Sequence, residues 1–202
     1  MKEVKIGQQL WTAENLNEDT FANGDLIYEI TSKEQWYEFI DSKKPGWCYY
    51  DFDTENAKYG KIYNIYAVID ERGLAPEGWL IPSNADWDLL VETIGENNAS
   101  SLKNSSGWWM NENGTNESGF SGLPGGSMDD GEFYYKDFFA NWWSMEVATN
   151  FKGSLLFDNE PQPLYVYAES HSGDETCNQI HRGTNSEYSI AACGYYVRCM
   201  KG

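Results

Sequence analysis

The stretch Ser83-Asn84-Ala85-Asp86-Trp87-Asp88-Leu89-Leu90-Val91-Glu92-Thr93-Ile94-Gly95 reads as a complete helix. Ser83 and Asp86 form a capping box that satisfies the first free N–H groups. Trp87, Leu90, Val91 and Ile94 follow at i, i+3, i+4 and i+7, one apolar stripe, and Gly95 supplies the stop. Toward the N-terminus, Ser32-Lys33-Glu34-Gln35 is a second box, with Trp36, Phe39 and Ile40 on one face and Pro45-Gly46 as terminator. Tyr63 to Ile69 reads as a short helix closed by Gly73. Toward the C-terminus the pattern changes. Residues 95–131 are rich in Gly, Asn and Ser, a long irregular region. Asp130-Gly131 is a hairpin turn signal leading into Glu132-Phe133-Tyr134-Tyr135. Short strand-like runs follow at Trp142–Ser144, Ser154–Phe157, Leu164–Tyr167 and Tyr195–Cys199. Two or three helices, then short antiparallel strands and long loops, predict an α+β fold over one domain, residues 1–202. Trp36, Tyr66, Trp79, Trp87, Trp142 and Trp143 are its expected core.

The chain of 202 residues carries a formal charge of −18 and is 16% aromatic, with 9 Trp and 14 Tyr. The acidity repels phosphate backbones and anionic membranes, which excludes nucleic acid as a partner. The aromatic content excludes a disordered acidic chain. Mean hydropathy is −0.63, and no apolar run approaches the roughly 18 residues of a spanning helix, so no membrane insertion is expected. Met1-Lys2-Glu3 leads directly into Val4-Lys5-Ile6 without an apolar leader. That fits a protein kept in the cytoplasm, or a secreted one whose leader is not in this sequence. Cys48, Cys177, Cys193 and Cys199 match no paired zinc knuckle. They allow three disulfide connectivities or a set of reduced thiols.

Reaction signatures are sparse. There is no nucleophile elbow and no phosphate loop. Sequons stand at Asn98, Asn104, Asn113 and Asn116, where turn residues are also expected. Asp129, Asp130 and Glu132 offer hard oxygen ligands in a turn and make calcium a candidate ion; no other cofactor is expected.

Several segments occur in a recognisable order: Ile6–Leu16, Gly46-Trp47-Cys48-Tyr49-Tyr50, Tyr59–Asn64, Gly73–Ser83, Asn113–Gly126, Trp142-Trp143-Ser144 and Tyr196-Val197-Arg198-Cys199. This series resembles the Fibrobacter succinogenes major paralogous domain family. The resemblance implies a C-type lectin-like fold, shared with formylglycine-generating enzymes and with the variable proteins of diversity-generating retroelements. It also implies a bacterial extracellular or cell-surface module. By analogy with long-range cystines of lectin-like folds, Cys48 is expected to pair with Cys199, and the additional Cys177 with Cys193.

The resemblance directs attention to residues 158–193, where the family pattern is weakest. Tyr165, Tyr167, His171, Asn178, His181, Asn185 and Tyr188 are the expected ligand-binding residues, Tyr and Asn giving contact area and adaptable hydrogen bonds. If Leu164–Tyr167 is a strand, Tyr165 and Tyr167 share its outer face. The expected function is a non-enzymatic binding or adhesion module for carbohydrate or protein. Two alternatives stand beside it. One is a retroelement-diversified variable protein with a protein receptor. The other is a copper-dependent formylglycine-generating-like oxidase using Cys193 and Cys199. Oligomeric state is not legible.

Overall fold

The computed structural model describes residues 1–145, 165–169, 180–183 and 190–202, with 165–169 and 180–183 described through their backbone pairing. The fold is mixed α+β. Its helices are α1 (Lys33–Asp41), α2 (Ile65–Val68), α3 (Asn84–Ile94) and α4 (Ala99–Leu102). In chain order its strands are β1 (Glu3–Ile6), β2 (Gln9–Thr12), β3 (Tyr28–Glu29), β4 (Gly46–Cys48), β5 (Ile62–Asn64) and β6 (Trp79–Leu80). Then come β7 (Ser127–Asp129), β8 (Glu132–Tyr134), β9 (Phe139–Trp143), β10 (Tyr165–Glu169), β11 (Ile180–Gly183), β12 (Gly194–Tyr195) and β13 (Met200–Lys201). They form sheets ordered β1-β2-β13-β6, β11-β10-β9 and β3-β4-β5-β12-β7-β8. Strands pair antiparallel apart from β3 with β4.

The helix signals are realised where the caps are. Ser83 accepts from the Asp86 N–H while the Asp86 carboxylate accepts from the Ser83 N–H, and Gly95 ends α3 at φ 94°. Ser32 caps α1. Gln35, however, accepts from Thr31 rather than from Ser32. The Asp130-Gly131 turn lies between β7 and β8 with both φ angles positive, 48° and 73°, as a two-residue hairpin loop requires.

Two expectations fail for one reason, the centre of the six-stranded sheet. Tyr63 is not helical. It lies on β5, opposite Trp47 of β4 and Tyr195 of β12, and the helix starts only at Ile65. Asn64 makes the switch: its Oδ1 accepts from the Gly46 and Ala67 N–H groups and its Nδ2 donates to Lys44 O. Nor does the Tyr195–Cys199 run stay one strand. Only Tyr195 of it belongs to a strand, β12; β13 begins at Met200, and residues 196–199 cross between sheets. Trp143 N–H donates to Tyr196 O, Leu16 N–H to Val197 O and Thr12 N–H to Cys199 O. The C-terminal segment thereby joins all three sheets.

The same sheet divides the core. Alternate residues of a strand face opposite sides. Cys48 and Ile62 are paired and lie in one cluster, with Trp11, Trp36, Trp87, Phe120, Met128, Trp142 and Tyr196. Trp47 and Tyr63 are paired and lie in the other, with Leu16, Trp143, Cys193, Tyr195, Val197 and Cys199. In the first, Trp11 and Trp87 centroids are 4.8 Å apart, Trp87 and Trp142 stack at 6.0 Å, and Phe120 packs edge-on to Trp142 at 5.2 Å. Trp36, Trp87, Trp142 and Trp143 are buried as expected; Tyr66 and Trp79 are half-buried at the margin of the second cluster.

This division corrects the cystine expectation. Cys48 and Cys199 are free, buried thiols in different clusters, on opposite sides of the sheet. Cys193 also carries a thiol, which donates to Asp129 Oδ1 at 3.5 Å. Its expected partner, Cys177, lies outside the described residues.

Candidate functional site

β9 is anchored by its own side chains: Trp142 enters the first cluster and Trp143 the second, with the Trp143 indole N–H donating to Tyr63 O at 2.9 Å. On this fixed strand β10 and β11 assemble as an antiparallel ribbon. Tyr165 stands opposite Trp143 on one side and Gly183 on the other; Tyr167 stands opposite Asn141 and His181. The register therefore brings three of the expected ligand-binding residues, Tyr165, Tyr167 and His181, onto one ladder. His171, Asn178, Asn185 and Tyr188 lie outside the described residues.

Beside this ribbon is a group of aromatics that the sequence reading did not single out. Trp109 is 44% and Tyr135 59% exposed, with Met110 and Tyr134 exposed nearby. Trp109 stacks on Phe138 at 4.8 Å, and Tyr135 contacts Phe139, the first residue of β9, at 4.7 Å. The backbone here is unusual. Met110, Asn111, Tyr135 and Asp137 have φ between 50° and 74°, a region that side-chain-bearing residues enter at a cost of about 1–3 kcal/mol each. The Trp109 N–H donates to Asp137 O at 2.9 Å and ties the two strained segments together. Tyr59 donates to Asp137 Oδ1 at 3.2 Å; burial, then the Asp137 charge, push its phenol up to about 12. No short-range motif announces this group, because the Trp109–Phe138 stack and the bond from Trp109 N–H to Asp137 O join residues remote in sequence.

Asp129, Asp130 and Glu132 do not converge on one point. Asp129 accepts from the Cys193 thiol and Glu132 pairs with Lys33. Tyr37 OH donates to the Asp130 backbone carbonyl at 2.7 Å. Among the described residues no three His, Cys, Asp or Glu side chains group around one point. The thiols named in the copper alternative are both buried in the second cluster. Burial pushes Cys199 up to about 12, the opposite of the setting that produces a reactive thiolate. The four sequon asparagines use their side chains within turns: Asn98 to Ile94 O, Asn104 with Ser106, Asn113 with Trp108 and Asn116 with Ser121.

The quoted segments meet at Arg198. Its guanidinium, only 1% exposed, donates to Asn15 Oδ1 and Thr12 O at 2.7 Å, to Phe120 O at 2.8 Å and to Ser121 O at 3.2 Å. The charge also lies 4.3 Å from the Phe120 ring centroid. Asn15 Oδ1 further accepts from the Trp142 indole at 2.9 Å, and Asn15 Nδ2 donates to Tyr59 O at 2.8 Å. Five of the seven segments are thus hydrogen-bonded through two side chains.

These features define an α+β domain whose first hairpin and last strand close on each other and whose sheets are stitched by one arginine-centred junction. The chain belongs to the Fibrobacter succinogenes major domain family, whose model matches residues 4–201. No curated protein and no solved structure matches it.

Proposed function

We propose that this chain is a non-enzymatic binding module with a C-type lectin-like architecture, working as an adhesion or recognition domain at a bacterial surface. Its ligand is a carbohydrate, bound by the β9–β11 ribbon and the segment between residues 158 and 193. The single observation that carries this reading is the placement of exposed Trp109, Tyr134 and Tyr135 at the root of the ribbon on which Tyr167 and His181 stand in register. Aromatic faces stack on the C–H faces of sugars, and the polar edges of Tyr and Asn supply directional hydrogen bonds. The closed ends of the chain support the architecture: β13 pairs with both β2 and β6.

A glycan array probed with the whole chain, with calcium and again with chelator, tests the reading. The expected result is binding to a limited set of neutral or acidic glycans. An array without binders overturns the carbohydrate assignment. Loss of binding in chelator would restore a role for Asp129, Asp130 and Glu132.

A further inference from the structure

A cleft of about 360 Å³ opens over the arginine junction, away from the ribbon residues of the proposed function. Its wall holds Lys2, Glu14, Asn17, Lys58, Ser121 and the Arg198 guanidinium. Three cations face one carboxylate, on a chain whose overall charge is −18. This is a local reversal of sign, and a recessed site of one sign concentrates the opposite ion. Lys2 and Lys58 are exposed at the rim; Lys58 Nζ also stands 4.9 Å from the Tyr59 ring centroid.

The floor is chemically unusual. A charge buried to this degree is ordinarily paired with an opposite charge. The hydrogen bonds of Arg198 go to three backbone carbonyls and one amide oxygen, all neutral. They satisfy four of the five guanidinium donors without neutralising the charge. Burial lowers its proton affinity, and Glu14 restores only part of it. An anion in the cleft would supply the missing charge. The rest of the wall is mixed: Asn17, Asn104 and Ser121 offer polar groups that suit hydroxyls, and Ala13, Ala57 and Leu123 offer apolar surface that suits the C–H face of a sugar ring. The volume is at the small end of ligand pockets, roughly 300–1,000 Å³.

We propose that this cleft binds a small polyhydroxylated carboxylate, a sugar acid, with its carboxylate between Lys2, Lys58 and Arg198 and its hydroxyls on Asn17 and Ser121.

The test is calorimetric titration of the whole chain with glucuronate and galacturonate, with glucose as the uncharged control and sodium sulfate as the anion control, at constant ionic strength. A uronate is expected to bind and glucose not. A Lys2→Gln/Lys58→Gln double variant should keep the fold, since both side chains are exposed, and weaken uronate binding about tenfold or more, equivalent to roughly 1.4 kcal/mol. A Tyr165→Ala/Tyr167→Ala/Tyr188→Ala variant should retain it, which separates this site from the ribbon. Equal binding of glucose and glucuronate overturns the proposal. So does sulfate binding without uronate binding, or a double variant that binds as the parent does.

Discussion

Asn15→Ala removes one side chain and breaks three hydrogen bonds at the place where most of the chain's segments meet. The Trp142 indole N–H and the Arg198 Nε–H lose their shared acceptor, and Tyr59 O loses a donor. A neutral hydrogen bond contributes about 1 kcal/mol net and one to a charged group about 1.5–3 kcal/mol. Asn15 is half-buried beside the cleft, so water replaces part of what is lost. We expect destabilisation of about 2–4 kcal/mol, a large share of the 5–15 kcal/mol typical of a domain. Urea unfolding followed by tryptophan fluorescence and far-ultraviolet dichroism measures it. With a slope of about 2 kcal/mol/M, the middle of the urea range, the midpoint should fall by roughly 1–2 M. Asn17→Ala, exposed in the same wall, should stay within about 0.5 kcal/mol of the parent. A loss below about 0.5 kcal/mol for Asn15→Ala, at unchanged slope, would refute the junction as a stability element.

Trp142→Phe should cost about 1 kcal/mol more than Trp87→Phe in the same assay. Both rings are fully buried, but the Trp142 N–H is bonded to Asn15 whereas the Trp87 N–H has no hydrogen-bond partner among the described residues. Cys48 and Cys199, held as thiols by burial that raises both, should resist iodoacetamide at pH 8 in the native protein and react in denaturant; mass mapping that recovers them joined would contradict the structure. Tyr50 and Tyr59 are raised from about 10 to about 12, chiefly by burial. The folded chain therefore keeps protons that the unfolded chain releases between those values, and stability present in full below pH 10 should fall as pH rises toward 12. Burial raises Tyr63 and Tyr196 well above 10 as well, so absorbance at alkaline pH should show at least four late-titrating tyrosines, and equal titration of all tyrosines near pH 10 would refute their burial.

Local signals were legible where one side chain decides a local event. Ser83, Asp86 and Gly95 fix α3 without help from the rest of the chain, and Asp130-Gly131 fixes its hairpin. Tyr63 fits the helical reading of Tyr63 to Ile69, but a ladder with Trp47 and Tyr195, remote in sequence, holds it as strand. The cystine expectation failed on a parity that only the pairing reveals: Cys48 faces away from Trp47, and Cys199 lies on the Trp47 side. Of the candidate site, Tyr165, Tyr167 and His181 were found by residue type, and their common ladder came from β9. Trp109 and Tyr135 carry no such signal: each finds its ring partner, Phe138 or Phe139, beside left-handed backbone at Met110, Asn111, Tyr135 and Asp137, with no glycine to mark it.

If the ribbon and its flanking stretch bind the ligand, the Tyr165→Ala/Tyr167→Ala/Tyr188→Ala variant loses its affinity for a glycan selected on the array. Affinity of parent and variant is measured by calorimetry, with thermal melting of both as the check on folding. The variant is expected to melt within a few degrees of the parent and to show no measurable binding. A variant that folds and binds the same glycan with parental affinity would contradict binding by the ribbon.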